Sequence, residues 1–213
     1  MPSGESRDDR GVLAIWHVLA PGRQAEFEDW YLHEHLPERM DIPGFLFGRR
    51  SEIVSGTPGS FITYVTESVQ TLSSPAFLAR LGAPTPWTTK AMAETVAGMN
   101  RVVCRRVARI GEFRGNASVT LRFPTGPDVS AMTSLMAELA KIPTVVTSEL
   151  WRNTEPPTAG ATASGAWKLD CCLVIDTQRV ADAERLASDL GAKFPDAEAW
   201  VYRALYQAGH AAS

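Results

Sequence analysis

Some segments of the chain have the pattern of apolar and polar residues typical of strands, and others have the pattern typical of helices. The same order of these predicted elements occurs twice. In each half a strand pattern comes first, and a helical pattern follows it after a short Pro/Gly loop. Two strands, a second helical stretch and a last strand complete each half. The predicted strands are 12–20, 46–54, 60–67 and 99–110 in the first half, and 117–123, 144–152, 166–175 and 199–206 in the second. This order, β-α-β-β-α-β twice, is that of the split ferredoxin-like unit.

The element order predicts an α+β protein made of two tandem ferredoxin-like repeats. Residues 1–10 are polar and charged, and we expect them to form a disordered tail. The repeats are expected at 11–113 and 114–208. A single unit of this kind leaves one sheet face without helices, so we expect the two units to pack sheet to sheet within the chain and bury both bare faces.

The two repeats are not equivalent. The first carries an additional segment, 74–90, in which three prolines interrupt any long helix: Pro75, Pro84 and Pro86. The helical pattern of the second repeat, 129–141, contains no His, Trp or Tyr. We therefore expect one site per chain, in the first repeat, and a degenerate second repeat that serves as a structural partner.

Composition and charge exclude several classes of function. The net charge is −3 and no basic stripe is visible, so a nucleic-acid partner is not expected. The longest apolar run, 171–175, is far too short to cross a bilayer, and the polar N-terminus does not resemble a signal peptide. Three cysteines, two of them adjacent, do not make a disulfide framework. We expect a cytoplasmic protein without a membrane partner.

The first helix brings a carboxylate and an imidazole to its aromatic side. At about 100° per residue, Phe27, Trp30, Tyr31 and Glu34 share one face, and His35 lies at the edge of that face. A glutamate among aromatic residues must be hydrogen-bonded or protonated. Histidine is the usual general acid or base near neutral pH. Glu34 and His35 are therefore the candidate catalytic pair.

Structural roles are the alternative for both residues. Glu34 can satisfy backbone amides or pair with a nearby arginine, and His35 can cap the C-terminal end of the helix. His33 and His35 face apart and do not form a metal pair, and no Cys/His spacing supplies the three or four ligands of a zinc site. No metal site is expected.

A string of residues around this helix carries a family resemblance. It consists of Trp30, Tyr31, Glu34, His35, Pro37, Glu38 and Arg39, then Pro43-Gly44-Phe45 and Arg49-Arg50, with weaker support from Pro84 to Thr88. The string resembles the dimeric α+β barrel superfamily, and within it the EthD-like branch with its tandem members. That resemblance implies a cleft between helices and a curved sheet that takes small, often aromatic or polyketide-like molecules. The superfamily includes cofactor-free monooxygenases, isomerases, dehydratases, haem proteins and pure binders, so fold alone does not fix function.

From pattern and resemblance together we expect an enzyme that performs cofactor-independent acid/base chemistry of isomerase, dehydratase or monooxygenase type. Glu34 and His35 would move protons on an aromatic or polyketide-like small molecule. The residues expected to contact that substrate are Trp30, Tyr31, Arg39, Arg49 and Trp87, the last at the cleft mouth. A haem protein that uses His35 or His17 is one alternative, and a non-catalytic binding or structural module is another. Pairing of two chains into a homodimer also stays open.

Overall fold

Eight strands of the described part of the chain close into one antiparallel barrel, with the helices on its outside. The computed structural model describes residues 10–55, 59–154 and 169–209. The strands are β1 (Gly11–Leu19), β2 (Phe45–Ile53), β3 (Gly59–Thr66), β4 (Val96–Ile110), β5 (Ala117–Phe123), β6 (Val145–Asn153), β7 (Cys171–Thr177) and β8 (Glu198–Gly209). The predicted α+β class is confirmed. The expected tail, apart from Arg10, and the start of the strand predicted from residue 166 lie outside the described residues.

The helices flank the strands in the predicted order. They are α1 (Gln24–Trp30), a π-helical turn (Tyr31–His35), α2 (Leu36–Met40), a 3₁₀ turn (Val69–Ser73), α3 (Pro75–Gly82), α4 (Pro86–Thr95), α5 (Val129–Leu139) and α6 (Val180–Lys193). Among the described residues, no helix combines the length and the apolar character that spanning a membrane requires.

Prolines mark two of the helix starts. Pro75 and Pro86 are the first residues of α3 and α4, where their fixed φ suits the helix and their missing N–H costs nothing. The hydroxyls of Ser74 and Thr85 accept backbone N–H bonds at the two N-termini. The expected interruption of the 74–90 segment is therefore confirmed.

The strand order is the same in the two halves. Around the barrel it is β1-β3-β2-β8-β5-β7-β6-β4, so the first half reads β4-β1-β3-β2 and the second reads β8-β5-β7-β6. The pairs β2–β8 and β4–β6 join the halves. Closure leaves no free sheet edge in the barrel.

Side chains alternate between the barrel interior and the helices. On β1, Trp16 points inward and stacks on Phe61 with ring centroids 5.0 Å apart, within an interior core that also contains Trp151. The next residue, His17, faces the helices together with Ile15. The interior is thus filled by side chains, and the space for a ligand lies between sheet and helices.

Candidate functional site

A cavity of about 500 Å³ lies between the sheet of the first half and the helices that cover it. Its wall is largely apolar and aromatic, with contributions from Leu13, Ile15, Phe27, Trp30, Ile62 and Phe77. The polar groups in the wall include His17, Tyr31, His35, Arg39, Tyr64, Thr88 and Arg101, with Glu38 and Arg80 beside them. The volume and the mix of apolar wall with few polar groups are those of small-molecule sites.

A π turn decides which side chains of the first helix reach this cavity. The helix continues from α1 to α2 through Tyr31–His35, and the N–H of Leu36 donates to the carbonyl of Tyr31, five residues back. Pro37 supplies a reason, because it has no N–H for the carbonyl of His33 and its ring crowds that carbonyl. Such turns are frequent at functional sites.

The wider turn changes the predicted helix face. His35 comes to lie between two aromatic rings, with centroids 4.5 Å from Trp30 and 5.3 Å from Tyr31. Glu34 accepts a hydrogen bond from the indole Nε1 of Trp30 and does not line the cavity. The prediction at 100° per residue, with Glu34 on the core-facing side and His35 at its edge, is therefore corrected by the π turn.

Two histidines line the cavity in neutral form. Burial, reinforced by Arg39, His17 and Arg101, holds the pKa of His35 well below its ordinary value. Burial and the charge of Arg50 lower the pKa of His17 to about 3. Nδ1 of His35 and both ring nitrogens of His17 are buried and have no hydrogen-bond partner among the described residues. Buried polar atoms are normally paired, so these imidazoles mark the cavity as more than packing.

Two tyrosines meet in the cavity wall. The hydroxyls of Tyr31 and Tyr64 lie 2.6 Å apart, and both side chains are almost completely buried. Burial raises the pKa of both phenols, so both are neutral at pH 7. Because the pair shares one hydrogen bond, one hydroxyl hydrogen is left for an acceptor in the cavity.

Glu34 ties the first helix to α4. Its carboxylate accepts hydrogen bonds from the hydroxyls of Thr85 at 2.6 Å and Thr88 at 2.8 Å, and from the indole Nε1 of Trp30 at 3.1 Å. Partial burial raises the pKa of Glu34, but these hydrogen bonds outweigh it and the net pKa is lowered. Glu34 is thus an ionised anchor behind Trp30.

Two predicted substrate contacts lie away from the cavity. The Arg49 guanidinium points into the barrel, where it donates to Asp176 at 2.8 Å and to the carbonyl of Gly115, so its charge is used inside the protein. Trp87 is in the first turn of α4 and is 38% exposed, and its neighbour Thr88 lines the cavity in its place. Contrary to the expectation, the geometry brings neither side chain to the ligand space.

Three cavity residues escaped the sequence interpretation or were underweighted by it. Tyr64 on β3 lies opposite Leu13, and Arg101 on β4 lies opposite Ile15, so both strands that pair with β1 supply polar groups to the wall. His17 entered only as a haem alternative. Its alternation with Trp16 was the available signal, because one of the two had to face the helices.

The available side chains determine which cofactors the protein could hold. Within the described ranges, no group of three or more His, Cys, Asp or Glu residues could hold a metal ion. A haem needs a single axial side chain, and His17 and His35, whose imidazoles have ring nitrogens without a partner among the described residues, fit that requirement beside an apolar wall.

Comparison with solved structures supports the fold, whereas comparison of sequences finds no relative. No protein-family model matches the chain, and no curated protein sequence matches it either. A candidate monooxygenase from Fusobacterium nucleatum is 8% identical with a TM-score of 0.63, and 94% of each chain is covered. An anthrone oxidase-like protein is 11% identical with a TM-score of 0.61, over 96% of this chain and 94% of the other.

A haem-binding protein from Thermus thermophilus is a further structural neighbour. It is 10% identical, with a TM-score of 0.51 over 93% of this chain and 92% of the other. These neighbours are dimeric α+β barrel proteins, and the chain has that fold. The fold that the resemblance implied is therefore confirmed.

Proposed function

We propose that the chain is a small-molecule enzyme that starts its reaction by proton transfer in this cavity, with His35 as the general base. The single observation that carries the proposal is the pair of neutral imidazoles, with Nδ1 of His35 and both ring nitrogens of His17 unpartnered among the described residues, on an apolar cavity of about 500 Å³. A catalytic base must be unprotonated and within reach of its proton, and His35 meets the first condition at neutral pH.

The chemistry proposed is removal of a proton from a carbon next to a carbonyl group. The lone pair of His35 takes the proton, and the electron pair of the broken C–H bond moves onto the carbonyl oxygen to give an enolate. The free hydroxyl hydrogen of the Tyr31–Tyr64 pair is the proposed donor to that oxygen, since a neutral phenol in a dry site stabilises developing negative charge. Reprotonation elsewhere, loss of a leaving group or reaction with oxygen would then give isomerase, dehydratase or monooxygenase outcomes.

The remaining predicted residues take different proposed roles. Trp30 and Arg39 contact the substrate from the cavity wall. Glu34 is a positioning residue, because it acts through Trp30 and α4 rather than on the substrate. We also propose that the two halves are ferredoxin-like repeats, as their equal strand order suggests, and that the chain falls in the EthD-like branch that its first helix resembles.

Solvent exchange on a ketone tests the proposal. Anthrone and 2-tetralone, both carbon acids, would be incubated with the protein in D₂O, and deuterium incorporation would be followed by mass spectrometry with oxygen uptake recorded in parallel. Anthrone is chosen because one structural neighbour is anthrone oxidase-like. We expect exchange above the buffer rate and a loss of about 100-fold or more in His35→Gln, the usual size of a general-base contribution.

The matched control is His33→Gln. That imidazole lies on the outer side of the same helix, 63% exposed, and contacts Asp29. It is expected to exchange like the wild type. Absence of exchange with both ketones, or a His35→Gln protein with full activity, would remove the enzyme proposal.

Haem binding is the second candidate, favoured by the unpartnered imidazole nitrogens in the cavity wall. His35 or His17 would be the axial residue, and haem would supply one-electron or oxygen chemistry when bound. Titration with hemin distinguishes this function: a shifted Soret band that is lost in His35→Ala or His17→Ala supports it. A spectrum that stays that of free hemin eliminates it.

A further inference from the structure

Two arginines enter the cavity from distant parts of the sequence. Arg39 comes from α2 and Arg101 from β4, and their side chains are only 9% and 8% exposed. Their guanidinium carbons lie 5.8 and 5.5 Å from the ring centroid of Phe77, so they share one aromatic neighbour. The wall of the cavity therefore carries two positive charges beside the same aromatic ring, and Arg39 acts electrostatically on Arg101.

Four buried arginines elsewhere in the described part of the protein face carboxylates. Arg49 lies 2.8 Å from Asp176, Arg50 lies 2.5 Å from Glu28, Arg106 lies 3.1 Å from Glu149, and Arg122 lies 2.6 Å from Glu198. These pairs follow the general rule that a buried charge needs a partner.

Arg39 in the cavity wall is placed differently. Nη1 of Arg39 is buried without a hydrogen-bond partner in the described ranges. Glu38 is the only carboxylate among the described residues that line the cavity, and it is bound to Arg80 at 2.9 Å. Burial, followed by repulsion from Arg39, lowers the pKa of Arg101 to about 10, and burial lowers the pKa of Arg39 as well. Arg39 thus brings to the cavity a buried guanidinium nitrogen that no described residue binds, beside the guanidinium of Arg101 in the same wall.

We propose that Arg39 and Arg101 form an anion subsite that binds the carboxylate of a largely apolar, aromatic acid. A guanidinium matches a carboxylate in shape and binds it through two parallel hydrogen bonds, and such bonds are strong where water is excluded. The apolar part of the ligand would lie against Phe27, Trp30 and Ile62. This deepens the proposed function by naming its substrate class, and it rests on that proposal only in taking the cavity as the ligand site.

The position of the subsite relative to the proposed base follows from local geometry. Arg39 is four residues after His35, one helical turn along the same face. Arg101 lies opposite Ile15, two residues before His17 on β1. A carboxylate held by the two arginines would therefore fix the rest of the molecule next to both imidazoles.

A charged and a neutral probe of equal shape test the subsite. Binding of 2-naphthoate and of 2-naphthamide to the full chain would be measured by calorimetry and by quenching of tryptophan fluorescence. We expect the wild type to bind the acid at least about tenfold more tightly than the amide. In Arg39→Met and Arg101→Met this preference should fall to less than about threefold, while the affinity for the amide stays within about threefold.

Arg203→Met is the matched control, because that side chain is 62% exposed and pairs with Glu52 on the outside of the barrel. It should keep the full preference. A merely structural role for the two arginines would lower the melting temperature without changing the ratio of the two affinities. If either cavity variant fails to fold, the other variant and the ratio of the wild-type affinities for 2-naphthoate and 2-naphthamide still test the subsite.

Two outcomes would overturn the subsite. One is a wild type that binds neither probe or binds both equally; the other is a preference that survives both cavity substitutions. Failure of the proposed enzyme function looks different: no deuterium exchange with ketones, but a normal preference for 2-naphthoate. The two proposals can therefore fail separately.

Discussion

The imidazole of His35 lies 4.5 Å from the indole of Trp30, ring centroid to ring centroid, although the two residues are five positions apart. In a regular α-helix, side chains three or four positions apart are neighbours, and those five apart are not. The π turn from Tyr31 to His35 produces the contact. An irregular helix turn, rather than the helix itself, thus brings the proposed base into the cavity.

Replacement of Pro37 by alanine should shift this turn towards a regular α-helix. An N–H at position 37 can donate to the carbonyl of His33, and His35 would then rotate away from Trp30. We expect ketone exchange to fall by about tenfold or more while the melting temperature stays the same or rises, since alanine favours helix over proline. Pro43→Ala, at an exposed proline in the turn after α2, is the control and should behave as the wild type.

Glu34 should matter for stability more than for the chemical step. In Glu34→Leu the two threonine hydroxyls lose their acceptor and the Trp30 indole keeps only the hydroxyl of Thr88, so we expect a loss of about 1–3 kcal/mol in the free energy of unfolding. Thr88→Val should cost less, because Glu34 keeps two of its donors. A double-mutant cycle by urea unfolding gives the coupling between the two residues. If Glu34→Leu keeps its stability but loses all ketone exchange, Glu34 acts on the substrate as the sequence first predicted.

Stability should decline as the pH falls below about 6.5. His17 has a folded-state pKa of about 3 against 6.5 in the unfolded chain. Between these two pH values the unfolded chain binds a proton that the folded protein does not, so a lower pH favours unfolding. By pH 5 this amounts to about 2 kcal/mol for one such histidine. Urea unfolding between pH 5 and pH 7 measures the slope. His17→Leu should be more stable than the wild type at pH 5 and have a shallower slope, and an unchanged slope would contradict the assignment.

Arg49 should be required for folding but not for ligand binding. Loss of its guanidinium leaves the buried Asp176 without its cation, and breaking such a pair costs about 3–5 kcal/mol. We expect Arg49→Met to unfold at much lower denaturant while the folded fraction keeps the wild-type ratio of affinities for 2-naphthoate and 2-naphthamide. Arg203→Met, which removes an exposed pair, should cost less than about 1 kcal/mol. A lost preference for the acid in Arg49→Met would restore Arg49 as a substrate contact.

Part of the site could be predicted because its signals lie within single elements. The helical period placed Phe27, Trp30 and Tyr31 on one side, and all three are buried in the structure. Glu34 and Arg49 show where this reasoning stops. A carboxylate near aromatic residues and an arginine on a strand look alike in sequence whether their partner is a ligand or, as here, a threonine on α4 or an aspartate on β7.

The sequence by itself determined the order of the elements, the α+β class and the half of the chain in which the aromatic helix lies. These properties follow from spacing along the chain, and a hydrophobic period or a proline acts on residues within a few positions of itself. Only the tertiary structure decided which side chains share the cavity. Tyr64, Arg39 and Arg101 meet there because strand register, barrel closure and one π turn fix their positions, and the first two depend on packing between segments far apart in sequence.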